Sequence, residues 1–162
     1  MKLLVVICAA SACASTPQPT PENPMSNTSN SKQRLEAFMQ DVFNRGDVAA
    51  ADTYVDPAFI DHAPWPGHAG TLAGFKAGLV EFRAAFPDLK VDLTRAVVEG
   101  DLVVGHLTMS GTQLGAFMGA PASGKTFRIE AIDIIKMRDG KAVEHWGVMD
   151  AAGLAAQLGL AP

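Results

Sequence analysis

The chain has 162 residues, a net charge of −4 and 19% charged residues, enough for one ordinary globular core with appendages. A net negative chain without a basic stretch is a poor partner for a phosphate backbone, so nucleic-acid binding is set aside. Both cysteines, Cys8 and Cys13, fall in the leader described next, so cysteine chemistry is excluded from the folded part.

The chain opens with Lys2, an apolar run from Leu3 to Ala10, and the small residues Ser11 and Ala12 before Cys13. That order is that of an export signal, and the run is far shorter than the ~20 residues that span a bilayer. Ala10-Ser11-Ala12-Cys13 resembles the lipobox of bacterial lipoproteins, which would make Cys13 the lipidation site and restrict membrane contact to a lipid anchor. Plain cleavage after Ala12 or Ala14 is the alternative. Residues 1–14 therefore read as an export signal. Residues 15–30, with Pro17, Pro19, Pro21 and Pro24 among Ser, Thr and Asn, read as a tether with little to bury. The expected location is exported and periplasmic, anchored if Cys13 is acylated; were Met25 the true start, the protein would be cytoplasmic.

Ser31 is the expected cap of a first helix, with Leu35, Phe38, Met39, Val42 and Phe43 on one stripe and Gly46 at its end. Asp47 caps a second, Val48 to Tyr54, stopped before Pro57. Phe59 to Ala63 reads as a short strand and Pro64 to Gly70 as a loop. Thr71 opens a third helix through Leu72, Phe75, Leu79, Phe82 and Phe86, which ends at Pro87. Strands then follow over 89–99, 102–113, 125–138 and 142–150, with turns at Glu99-Gly-Asp101 and Arg138-Asp-Gly-Lys141. Residues 31–162 thus form one α+β domain, in which three N-terminal helices pack on a curved, mainly antiparallel sheet that closes into a cone with a pocket. The apolar loop Leu114–Gly124 is a candidate lid or an ordered surface loop.

The most informative residue is Asp133. Period-two geometry puts it on one strand face with Phe127, Ile129, Ala131, Ile135 and Met137. A lone carboxyl on that face must be protonated, paired with a donor, or turned to a cavity that admits ligand or water. His145 and Trp146 fall on opposite faces of the last strand, so at most one lines the cavity. His145 could hold Asp133 or a substrate carbonyl, or be satisfied inside the core. His106 shares a face with Leu102, Val104 and Thr108 and is either a pocket donor or a surface residue. There is no histidine pair at helical metal spacing, no nucleotide-binding glycine fingerprint and no Gly-x-Ser-x-Gly elbow. A metal set of His62, His106 and Asp133 requires the fold to bring them together.

The helix order, the run Gly111-Thr-Gln-Leu-Gly-Ala-Phe-Met-Gly-Ala-Pro-Ala-Ser-Gly-Lys125, Ile132-Asp-Ile-Ile, and Val143-Glu-His-Trp-Gly-Val-Met-Asp150 resemble the SnoaL-like polyketide cyclases. That group belongs to the cone-shaped superfamily that includes nuclear transport factor 2 and the ketosteroid isomerases. The resemblance implies a hydrophobic carbonyl ligand in the cone and an intramolecular aldol ring closure without metal or organic cofactor. It further implies Asp133 as acid and base, and His62 near the pocket mouth; His145, from the reading of the last strand above, is the second candidate catalytic residue. Gln113 stands where family members commonly have histidine; it can hydrogen-bond a carbonyl but not shuttle protons at neutral pH. His62, Gln113, Trp146 and His106 are thus the candidate substrate-binding residues. The competing reading is an envelope protein that binds a small molecule without turning it over. Pairing of the open sheet face would give a homodimer.

Overall fold

The computed structural model describes residues 24–160; the expected export signal and most of the expected tether lie outside them. Five strands form one sheet in the order β1-β5-β4-β3-β2: β1 Val55–Asp61, β2 Lys90–Glu99, β3 Leu102–Thr112, β4 Thr126–Arg138 and β5 Lys141–Met149. β1 pairs parallel to β5 and every other neighbour is antiparallel. The helices are α1 Pro24–Phe38, α2 Ala51–Tyr54, α3 Leu72–Ala85 and α4 Ala151–Leu158. The architecture is the expected α+β cone, with one change: α4 follows the sheet, so the helices are only partly N-terminal.

Helix α1 starts at Pro24, inside the stretch that composition reads as tether, and runs through Ser31 instead of being capped there. After Phe38 it widens into a π-helical turn, Met39–Asn44. The apolar stripe survives the change of pitch, because Leu35, Met39, Val42 and Phe43 are all buried. Asn44 then protects the edge strand β2: its side-chain amide donates to the Val91 carbonyl at 3.0 Å and its Oδ1 accepts from the Val91 N–H at 2.7 Å. Asp47 and Thr71 cap as expected, accepting from Ala50 N–H and Gly74 N–H. β1 begins earlier than its composition suggests and contains Pro57, tolerated because β1 is an edge strand.

β4 organises the sheet. Phe127, Ile129, Ala131 and Ile135 are buried on the concave face, where they meet Leu79, Phe82 and Phe86 of the α3 segment. The β4–β5 hairpin closes on Asp139 (φ 51°) and Gly140 (φ 74°), the two left-handed residues that a two-residue type I′ turn requires. On the convex face the cross-strand row Val97, Val104, Ile134, Trp146 is apolar; Val97 is 65% exposed and Trp146 37%.

The 114–124 loop is tied down against α3. Leu114 and Gly115 N–H groups both donate to the Ala85 carbonyl, and Phe117 packs on Phe86 with ring centres 4.9 Å apart. Gln113 is the clasp: wholly buried, it donates from Nε2 to the Pro121 carbonyl at 3.1 Å and accepts from Ser123 Oγ at 2.7 Å. It therefore stabilises the loop and does not line the cavity, which corrects its candidacy as a substrate-binding residue. Gln113→Leu strands both partners and is expected to lower unfolding free energy by about 1–3 kcal/mol in urea titrations while leaving ligand affinity unchanged. An unaltered denaturation midpoint would contradict this role.

Candidate active site

A cavity of about 170 Å³ lies between the concave sheet face and the helices. Its walls are chiefly apolar: Leu35, Phe38 and Met39 from α1 and the turn after it, Phe75 from α3, and Leu107, Met109 and Ile135 from β3 and β4. Trp65 and its flanking Pro64 and Pro66 complete the wall, so the 62–70 loop, not the 114–124 loop, borders the ligand space.

Asp133 projects into this cavity, and the register of three strands decides what it meets. β4 pairs Asp133 with Gly147 and Ile135 with His145, which puts His145 on the inner face. β1, parallel to β5, sets Asp61 opposite His145. The imidazole is therefore held at both ends: Nδ1 lies 2.8 Å from Asp61 Oδ1 and Nε2 lies 3.3 Å from Asp133 Oδ1. Asp61 is itself fixed, since its Oδ1 also accepts from the Ala63 N–H at 3.0 Å. Of the three conditions open to Asp133, the structure combines two, pairing with a donor and exposure to a cavity.

Gly147 makes room for this contact. A Cβ there would come within 2.9 Å of both Asp133 Oδ1 and His145 Nε2, closer than side chains pack. The β-bulge on β5 lies at Val143, where the register against β4 shifts between Lys136 and Met137. It sets the parity of every residue after it, turning His145 inward and Trp146 outward.

Burial is the largest influence on His145 and disfavours its charged form, but hydrogen bonds to Asp133 and Asp61, with their charges, outweigh it and raise its pKa to about 9. Burial likewise works against ionised Asp61, yet the His145 hydrogen bond, the Ala63 N–H and the nearby imidazoles hold its pKa below the ordinary value. At neutral pH His145 is an imidazolium, with Nδ1–H donating to Asp61 Oδ1 and Nε2 in ion-pair contact with Asp133 Oδ1.

Other candidates lie elsewhere. His62 is exposed on the convex side, stacked on Trp146 with ring centres 4.7 Å apart and 3.2 Å from Glu144 Oε2. Glu144 also meets Lys136 at 3.2 Å, and His62, then Lys136, lower its pKa. His106 lies 3.6 Å from Glu130 on the same outer surface. The structure thus corrects the expectation that His62, Trp146 and His106 bind substrate in the cone, and a ligand set of His62, His106 and Asp133 does not form. Asp61 is the residue that sequence reasoning missed, although its signal was present: alternation puts it on the face of buried Phe59 and His62 on the other.

The pairing has a pH signature. His145 has a folded pKa of about 9 against 6.5 unperturbed, so its contribution is complete below about pH 6.5 and is lost as pH rises through 9. Each tenfold gain in proton affinity on folding is worth about 1.4 kcal/mol, so the contribution reaches about 3 kcal/mol. Unfolding free energy is expected to fall between pH 6.5 and 9 in the wild type, and this slope should vanish in His145→Gln. Identical pH profiles for the two proteins would refute the pairing.

The family model described as SnoaL-like polyketide cyclase matches residues 33–158. Nogalonic acid methyl ester cyclase of Streptomyces nogalater is 28% identical over 123 residues, covering 75% of this chain and 92% of that protein. Aklanonic acid methyl ester cyclase DnrD of Streptomyces peucetius is 31% identical over 111 residues, covering 65% and 72%. Among solved structures, TsrD from Streptomyces laurentii superposes with a TM-score of 0.74 at 34% identity, covering 82% of this chain and 97% of that one. IdmH of Streptomyces antibioticus gives 0.70 at 31% identity, covering 80% and 98%. With its cone of five strands and nearly all of its described residues matched, the chain belongs to the SnoaL-like polyketide cyclase family.

Proposed function

We propose that this protein is a cofactor-independent acid/base enzyme that closes a ring in a hydrophobic carbonyl compound held in the cone. The observation that carries this reading is a carboxyl group turned to an apolar cavity with one oxygen anchored: His145 holds Asp133 Oδ1, and no group among the described residues hydrogen-bonds Oδ2. As a carboxylate, Asp133 takes a proton through Oδ2 from a carbon next to a carbonyl, leaving an enolate. The enolate carbon bonds to a second carbonyl carbon of the same molecule, and the resulting alkoxide takes the proton back from Asp133. The carboxyl ends as it began, and no other reactant is needed.

The neighbours supply what this cycle requires. Once Asp133 is protonated the negative charge sits on the ligand, beside the fixed His145 imidazolium, which stabilises it without reorganisation. Buried Asp61 keeps the imidazole oriented, as a positioning residue. The apolar walls exclude water that would compete for the proton.

Asp133→Asn keeps the hydrogen-bonding shape and removes the base. A screen of hydrophobic polyketone esters is expected to give turnover with the wild type and a loss of about 10²–10⁴-fold with Asp133→Asn, while His62→Ala, on the convex face, keeps wild-type kcat. Turnover undiminished in Asp133→Asn would overturn the assignment.

The leader supports a second element of the proposal, that the enzyme works outside the cytoplasm on a lipid anchor at Cys13. Intact-mass analysis of the protein from a membrane fraction is expected to give a chain beginning at an acylated Cys13. An unmodified chain beginning at Met25 would rule this out.

A further inference from the structure

Arg34 brings a second charge to the same cavity. It stands half-buried on α1 and lines the ligand space. Its Nη2 donates to the Thr53 carbonyl at 2.9 Å, and its guanidinium carbon lies 5.2 Å from the centre of the Tyr54 ring. These contacts use one N–H and one face of the plane. The Nε–H is buried with no acceptor, and no carboxylate among the described residues pairs with the side chain. A buried, unpaired donor on a guanidinium is costly unless something supplies an acceptor.

Position gives this donor its meaning. The Arg34 side chain sits beside the β4–β5 turn, its Cδ 3.6 Å from where a Gly140 Cβ would stand. Met137 and Ala142 line the cavity at that end, and from Met137 to Asp133 the strand rises roughly 13 Å at about 3.3 Å per residue. The cavity therefore has a guanidinium at one end and two carboxyl groups around one imidazole at the other, with apolar walls between. An anionic group entering this space is repelled by the Asp61–Asp133 end and attracted to the Arg34 end, so the charges impose a direction on the ligand. A planar carboxylate matches the guanidinium fork, which a ketone or ester, with weaker acceptors and no charge, does less well.

We propose that Arg34 recognises a free carboxylate at the far end of an elongated apolar carbonyl compound whose reacting carbon reaches Asp133. The inference rests on the acid/base reading only for what happens at the Asp133 end; the recognition itself is an equilibrium property and needs no turnover.

The test uses 6-acetyl-2-naphthoate and its methyl ester as matched probes, titrated into the full chain by calorimetry at pH 7. The wild type is expected to bind the acid about tenfold or more tightly than the ester, as for a charge-assisted hydrogen bond in an apolar site. In Arg34→Met the preference should fall below about twofold with ester affinity unchanged, and Arg34→Lys should retain part of it. Thermal unfolding checks that both variants fold. In the wild type itself the Arg34 Nε–H resonance should shift on adding the acid and not the ester, a readout that survives if a variant fails to fold. Asp133→Asn should keep the acid preference even as it loses turnover, which separates this inference from the catalytic one. Equal affinity of the wild type for acid and ester, no binding of either, or full acid preference in Arg34→Met would overturn it.

Discussion

A carboxyl group in an apolar cavity is stable only if a donor reaches it, and here the donor is an imidazole that is itself held from behind. The Asp61–His145–Asp133 array is the constraint on which the rest of the inner sheet depends. His145 is kept charged by two carboxyl groups against the cost of burial, and Asp61 is kept ionised by His145 and a backbone N–H. Removing any member leaves the others buried and unmatched, the costly half of a desolvated network. The array is thus a stabilising feature, and it is also the site to which the proposed proton transfer is assigned.

Three strands must be in register for it to form, and β5 is the one that links them. It is the only strand among the described residues with a parallel neighbour on one side and an antiparallel one on the other. The parallel pairing brings Asp61, from the helical half of the chain, to the meander half that carries Asp133. The bulge at Val143 then sets which residues of β5 face inward. A one-residue slip would send His145 to solvent and Trp146 into the cone. Gly147 is the local adaptation: opposite Asp133, it gives up a side chain so that two polar groups can meet.

Much of this was legible in the sequence, and the failures share a physical cause. The β4 alternation located Asp133 on the concave face because its outward positions are mostly polar or less buried and its inward ones uniformly apolar. The caps at Asp47 and Thr71 and the Asp139-Gly140 turn were readable because each depends on local backbone chemistry. β5 was not, because its parity is set by a bulge and both faces of the sheet are apolar there: Trp146 and Val148 are exposed at 37% and 71%, where a core residue and an outer one look alike. His62 drew attention as a histidine, while its neighbour Asp61 carried the buried contact; residue type outweighed parity where parity was the better guide. Gln113 reads as a ligand donor by its chemistry, and only the returning 121–123 segment reveals it as a clasp. The start of α1 was hidden because a Ser/Asn-rich stretch has weak helical preference and takes its structure from context.

The separation between what makes the cone and what gives it chemistry follows from these placements. Leu79, Phe82, Phe86 and the inward residues of β3 and β4 are answerable to packing, and any similar set would fill the same space. The polar groups answer to one another: the inward half of each contact is fixed by strand register, and the cavity inherits an electrostatic direction from where those strands begin and end. Such a cone can change ligand by altering its walls, through Trp65 or the methionines, without disturbing the Asp61–His145–Asp133 array. On the proposed role of Arg34, it can change the ligand's orientation by altering that end alone, since roughly 13 Å of apolar surface lies between the two. That independence gives a physical reason why fold likeness by itself says little about substrate, whereas the proton transfer proposed for this site would depend on the Asp133–His145–Asp61 geometry.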